Sequence, residues 1–137
     1  MRDRVFIDTN IWVYASLLTD TDVQKREVAI NLIQANTNLF VSTQVLNEFY
    51  SVLLKYRINT EKILAFINEI LENTNVCSQD LDTLKKSWSI IKNYQLSLWD
   101  SLIIAAALQN NCSILYTEDM QHNQIIENSL IIINPFK

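Results

Sequence analysis

The sequence predicts an α/β fold, an α/β/α sandwich on a central, mainly parallel sheet of roughly four to five strands. Three observations carry this. Short, almost wholly apolar runs such as Val5-Phe6-Ile7, Leu39-Phe40-Val41 and Leu130-Ile131-Ile132-Ile133 read as strands covered on both faces. Longer segments with apolar residues at helical spacing separate them. The two kinds of segment alternate along the chain, as they must when helices join parallel strands.

Arg4-Val5-Phe6-Ile7 is the first strand and ends in Asp8-Thr9-Asn10, after which Ile11, Trp12, Tyr14 and Ala15 take up the spacing of a helix. Asp20 to Asp22 offer caps for a second helix with Val23, Val28, Ile30, Leu32 and Ile33 as its apolar residues, ending near Asn36 to Asn38. Leu39-Phe40-Val41 is the second strand, and Ser42 or Thr43 caps a helix running to about Tyr56 with Val45, Leu46, Phe49, Val52 and Leu53 inward. Asn59-Thr60 caps the next, in which Ile63, Phe66, Ile67, Ile70 and Leu71 follow the amphipathic template throughout. A short strand lies around Val76 and Cys77. Leu81, Leu84, Trp88, Ile91 and Tyr94 mark a further helix, with Lys85, Lys86 and Lys92 on its wetter side. Leu96 to Leu108 is the most apolar helix. Ser113 to Tyr116 forms a strand that delivers Thr117-Glu118-Asp119 at its carboxyl end, and a short turn or helix leads to the last strand, stopped by Asn134-Pro135.

A chain of 137 residues that is 49% hydrophobic suits one domain, residues 1–137, with a real core. The longest apolar run, Leu102 to Leu108, is far short of the ~20 residues that span a bilayer, and Asp8-Thr9-Asn10 interrupts any signal-peptide core, so a cytoplasmic protein with no membrane partner is expected. Cys77 and Cys112 lack metal-ligand spacing and read as free buried thiols. Two absences narrow the chemistry. With no glycine the chain cannot carry a P-loop or a Rossmann fingerprint, and with His122 as its one histidine it cannot build a two-histidine zinc site. Acid–base and metal chemistry therefore fall to carboxylates. Asparagines are expected to take the turn positions that need positive φ. The net charge of −4 argues against a broad basic DNA-reading face but not against a nuclease, because a site full of acids lowers the charge by itself.

Four acids stand out by position. On helical spacing Asp100 shares a stripe with Ile103, Ile104 and Ala107, and a lone buried charge must be neutralised by protonation, a cation or a metal. From Asn93 onward the only cationic side chain is Lys137, which leaves a distant partner or a metal. Glu48, three residues after Val45 and four before Val52, lies on or beside another buried stripe. Asp8 and Asp119 follow strands, where the ligand crevice of a parallel sheet opens. Each has an ordinary reading as well: Asp8 and Asp100 as helix caps, Glu48 as a boundary residue solvated at its tip, Thr117-Glu118-Asp119 as a polar exit from a strand. Four such accidents on one crevice are harder to accept than one site.

In order and spacing, Ile7-Asp8-Thr9-Asn10, Gln44-Val45-Leu46-Asn47-Glu48-Phe49, Leu98-Trp99-Asp100-Ser101-Leu102-Ile103 and Tyr116-Thr117-Glu118-Asp119-Met120 resemble the acidic motifs of PIN-domain ribonucleases. The closing Ile133-Asn134-Pro135-Phe136 is also typical, and the whole chain looks most like the small VapC-type toxins of toxin–antitoxin pairs. The resemblance implies a PIN-like fold and an endoribonuclease in which Asp8, Glu48, Asp100 and Asp119 ring a divalent-metal site, with Asn10 and Thr117 in support. It also implies an RNA substrate, a cognate antitoxin and homodimerisation. Glu118 matches a family position that is often acidic and is not counted as a ligand. The chain departs from the pattern at Gln121-His122-Asn123, where many relatives have glycine, and His122 reads as a surface turn residue. Hard oxygen ligands suit Mg²⁺ or Mn²⁺, which would position a phosphodiester and acidify the attacking water.

Three other readings compete. A flap-type DNA nuclease would use the same acids. A phosphoacceptor receiver domain has a similar length and an acidic pocket, but this chain lacks the adjacent acidic pair near the first strand and the lysine after the last. A PIN scaffold that only binds a partner fits poorly with four retained acids. Scattered cations, Lys55, Arg57, Lys85 and Lys86, are candidates for substrate contact, each with a solvated face as its default reading.

Overall fold

In the computed structural model, which describes residues 3–17 and 22–137, a short central strand sets the frame. β1 (Val5–Ile7) is buried at all three positions and pairs in parallel with β2 (Leu39–Ser42) on one side and β4 (Ile114–Tyr116) on the other. β3 (Asn75–Cys77) extends the sheet beyond β2, also in parallel, and β6 (Leu130–Ile133) extends it beyond β4. The order is β3-β2-β1-β4-β6-β5, six strands among the described residues where the sequence predicts four to five. The extra one, β5 (Ile125–Ile126), lies where the sequence suggests a turn or helix. It is a two-residue strand antiparallel to β6, too short for any periodicity to betray.

The order of the sheet reverses between β1 and β4, the place where open α/β sheets leave a crevice beyond their carboxyl edges. Register makes this concrete. Ile7 is level with Tyr116, so the next residues, Asp8 and Thr117, emerge side by side, and the Asp8 N–H donates to the Tyr116 carbonyl at 3.0 Å.

Among the described residues six helices cover the sheet: α1 (Thr9–Ser16), α2 (Val23–Ala35), α3 (Thr43–Lys55), α4 (Thr60–Asn73), α5 (Leu81–Tyr94) and α6 (Leu98–Gln109). Their starts follow capping chemistry. Ser42 accepts from the Val45 N–H, Asn59 from Lys62, Ser97 from Asp100, and Asp80 makes a reciprocal capping box with Thr83. Asp22 precedes α2 without a side-chain cap, and Asp20, also expected to cap it, lies outside the described residues. Positive φ falls on Asn111, Asn123 and Asn128 as expected, but also on Arg57, Gln95 and Glu127.

Three helices bury the predicted apolar face only in part: Leu32 and Ile33 of α2, Phe66 and Ile67 of α4 and Tyr94 of α5 pack against the core, while other predicted positions do not. Of the α2 residues only Ala29 is fully buried, and Val23 is exposed. On α4, Ile63 and Ile70 are buried, whereas Leu71, one end of the predicted stripe, faces solvent. On α5 Leu81 and Trp88 are exposed, and the buried positions are Thr83, Ser87 and Ile90. Small residues win there because α5 packs closely on α6 and both hydroxyls are satisfied: Thr83 donates to Gln109 Oε1 at 2.6 Å and Ser87 to the Leu84 carbonyl at 2.6 Å.

Helix α6 is buried at every position from Ser101 to Ala107, as a helix apolar all round must be. Ser101 Oγ is buried there with no hydrogen-bond partner among the described residues. An unsatisfied buried hydroxyl costs stability, so Ser101→Ala is expected to raise the melting temperature or leave it unchanged. A fall of more than a few degrees in a thermal melt would show that the hydroxyl has a partner. Cys77 and Cys112 are free and buried, and burial pushes the Cys112 thiol up to about 12. Among the described residues no helix is long and apolar enough to cross a membrane.

Candidate active site

The sheet and the helices bring all four acids to the crevice. Asp8 stands where β1 passes into α1 and is only 6% exposed. Its Oδ1 accepts the Thr9 N–H at 2.7 Å, capping α1, and its Oδ2 accepts the Thr117 hydroxyl at 2.8 Å. The cap reading and the site reading of Asp8 are thus the same geometry. Glu48, on the second turn of α3, accepts from the Thr9 hydroxyl at 3.1 Å through Oε2 and from the Gln44 amide at 2.7 Å through Oε1. Asp119, exposed beyond β4, accepts the Asn10 amide at 3.0 Å. Asp100 sits in the first turn of α6, half-buried rather than deep in the apolar stripe, because the helix begins at Leu98 instead of Leu96.

Asn10 and Thr117 tie the two sides of the crevice together. The Asn10 amide donates to Thr117 Oγ1 and Asp119, and its oxygen accepts the Glu118 N–H at 3.2 Å. Thr117 Oγ1 also receives the Asp119 N–H at 3.2 Å. Glu118 turns away. Its carboxylate is held by Lys25 at 2.8 Å and by the Tyr14 hydroxyl at 2.9 Å, so it does not join the acids. His122 accepts the Asn134 N–H through Nδ1 at 3.0 Å and serves the turn before the last strand.

The electrostatics are those of a site without a counter-charge. Burial pushes the Asp8 carboxyl up to about 7 against the two hydrogen bonds that favour its anion, and the charges of Glu48 and Asp119 push the same way. Asp100 is raised as well, first by burial, with the Ser97 hydroxyl opposing and Asp119 and Glu48 adding repulsion. Among the described residues, the ion pairs are Lys25–Glu118 and Lys86–Glu127, and neither involves these four acids. The donor set is all oxygen, the kind that suits Mg²⁺ or Mn²⁺. Among the described residues no three His, Cys, Asp or Glu groups stand close enough to enclose an ion unaided. A cation here would draw much of its shell from water and phosphate oxygens, as Mg²⁺ commonly does.

The sequence reading passes over three residues that hold these acids. Gln44 is almost buried and spans from Glu48 to the Trp99 carbonyl at 3.3 Å, linking α3 to the turn that presents Asp100. Gln79 fixes the Gln44 amide by donating to its oxygen at 2.8 Å. Thr9 bridges Asp8 and Glu48. The spacing of Gln44 and Glu48, one helical turn apart, is the signal that could have found the first of them. A groove of about 390 Å³ opens beside the acids, lined by Thr9, Asn10, Glu48 and Asp119 among others. A larger cleft of about 570 Å³ between α1, α2 and α4 holds Trp12, Ile33, Phe66 and Ile70 but none of the four acids.

The chain is similar in fold to several solved structures. One is Mycobacterium tuberculosis VapC20, a sarcin-ricin loop cleaving toxin, with 19% identity, a TM-score of 0.67 and coverage of 81% of this chain and 86% of that one. Another is a toxin–antitoxin complex from Klebsiella pneumoniae, with 20% identity, a TM-score of 0.71 and coverage of 96% and 97%. A third is VapBC-1 from nontypeable Haemophilus influenzae, with 21% identity, a TM-score of 0.67 and coverage of 97% and 98%. Comparison with curated proteins gives no match. The PIN domain profile matches residues 5–127, from β1 through the acidic loop after β4 to the end of β5. The chain therefore belongs to the PIN domain family.

Proposed function

We propose that this chain is a divalent-metal-dependent endoribonuclease that hydrolyses RNA phosphodiester bonds and serves as the toxin of a toxin–antitoxin pair. The observation that carries the reading is a buried Asp8 carboxyl beside Glu48 and Asp119 at the switch point of the sheet, with Asp100 repelled by the same two acids and none of the four in an ion pair among the described residues. Asp8, Glu48, Asp100 and Asp119 are the metal ligands, direct or through water. Asn10 and Thr117 hold Asp8 and Asp119 in register, and Thr9 and Gln44 do the same for Glu48. A bound Mg²⁺ or Mn²⁺ would polarise the scissile phosphate and acidify the attacking water. In-line attack forms the new P–O bond and breaks the bond to the 3′ oxygen, leaving a 5′-phosphate and a 3′-hydroxyl.

The toxin role and a cognate antitoxin are supported by the likeness of fold to a VapC toxin and to toxin–antitoxin complexes, and a cytoplasmic setting and a homodimer are proposed along with them. Paired assays on single-stranded RNA and DNA test the substrate class. Cleavage of RNA in Mg²⁺ or Mn²⁺, lost on chelation, is expected. Cleavage of DNA alone would favour a flap-type nuclease, and cleavage of RNA in full chelator would remove the metal from the account.

A further inference from the structure

The groove at the acids continues along α3. From Glu48 it passes Ser51 and Val52 to Lys55 and Tyr56, with Asp22 also lining it. Glu48 and Lys55 are two helical turns apart on one face, roughly 10 Å along the axis at 1.5 Å per residue. Among the described residues Lys55 is the one cation that lines the groove, it is exposed, and it makes no ion pair. Tyr56, at the C-terminal cap of α3, is 58% exposed, and among the described residues no other ring stacks on it. The other cations considered from sequence fit less well. Lys86 is engaged by Glu127, and neither Lys85 nor Arg57 lines the groove.

We propose that Lys55 and Tyr56 form a nucleotide subsite for single-stranded RNA, with the ammonium on a backbone phosphate and the phenol ring stacked on the adjoining base. The inference rests on the ribonuclease reading and extends it to substrate placement. Three carboxylates, Asp22, Glu48 and Asp119, repel a polyanion along this groove, and a cation bound at the acids offsets them only locally. A strand leaving the scissile phosphate therefore needs a second cation, and Lys55 stands in its path. One lysine against three acids matches one phosphate backbone and disfavours a duplex. At about 3.4 Å per stacked nucleotide, a separation of roughly 10 Å places the subsite about three nucleotides from the cut, fewer in an extended strand. Stacking on an exposed tyrosine is tolerant of base identity, so the subsite would register the strand rather than read its sequence.

Fluorescence anisotropy with a labelled single-stranded RNA, in Ca²⁺ and over about 50 to 200 mM salt, tests this. Tyr56→Ala is expected to raise Kd by about five- to a hundredfold, and Tyr56→Phe, which keeps the ring, to stay near wild type. Lys55→Gln should weaken binding and lower the slope of log K against log salt by about 0.7, whereas Lys85→Gln should do neither. The subsite is overturned if Tyr56→Ala binds as wild type does, if Tyr56→Phe falls with it, or if Lys55→Gln behaves like Lys85→Gln. If wild type cuts RNA while these variants bind alike, only the subsite fails. If wild type neither binds nor cuts RNA, the ribonuclease reading fails with it.

Discussion

Asp8→Asn is expected to reduce cleavage by at least about a hundredfold while leaving the metal-free protein at pH 8 as stable as wild type or more so. Changing groups that merely support a metal ligand commonly costs 10- to 100-fold, and Asp8 is proposed as a ligand itself, so about a hundredfold is the lower bound. The stability half follows from burial. At pH 8 the wild-type carboxyl, with its value near 7, is ionised among Glu48 and Asp119 and makes no ion pair among the described residues. Asparagine keeps the acceptor that caps α1 through the Thr9 N–H and removes the charge. It gives up the acceptor of the Thr117 hydroxyl, a loss of about 1 kcal/mol that the relief of burying a charge should exceed. Thermal melts in chelator check the second half and a cleavage assay the first. A variant that is inactive because it unfolds would contradict the account, since a purely structural Asp8 predicts just that.

The second large effect is the pH dependence of the metal-free fold. The Asp8 carboxyl titrates near 7 in the folded chain and near 3.8 in the unfolded one. Between those values the folded state holds a proton that the unfolded state has released, so stability falls as pH rises. The contribution is fully present below about pH 4 and lost by about pH 7, amounting to at most roughly 4 kcal/mol. Asp100 is shifted the same way and adds to the slope. Asp80, held low by its hydrogen bonds with Thr83, works in the opposite sense, but only as pH drops below the ordinary carboxylate range. Urea unfolding in chelator at pH 5, 6, 7 and 8 should therefore show declining stability, with Mn²⁺ restoring it at pH 8 and Asp8→Asn flattening the profile. Stability that climbs from pH 5 to pH 8, or an unchanged slope in the variant, would mean that Asp8 already has a counter-charge.

Much of this was legible in the residues. Val5-Phe6-Ile7, with no polar alternation, announces a strand covered on both faces, and the carboxylate after it is placed by the parallel sheet. Alternation of segments then sets the class of fold. The limits are as specific. Trp88 looks like a core residue of α5, but tight packing against α6 selects Thr83 and Ser87 for the buried face and turns the tryptophan outward. Glu118 and Asp119 are adjacent acids that sequence cannot tell apart by chemistry. A lysine 93 residues away claims the first and leaves the second to the crevice. Gln44 carries no charge for a sequence to reveal, and its function there is to aim one.

The central claim is that Asp8, Glu48, Asp100 and Asp119 hold the divalent cation on which RNA cleavage depends. Its most direct test is to titrate Mn²⁺ into the metal-free protein, following bound Mn²⁺ by electron paramagnetic resonance and RNA cleavage in the same samples, for wild type, Asp8→Asn and Asp100→Asn. The account predicts that cleavage rises in step with bound Mn²⁺ in wild type and that both are lost or greatly weakened in the two variants. Cleavage at full rate before Mn²⁺ is bound, or wild-type binding and cleavage in both variants, would contradict it.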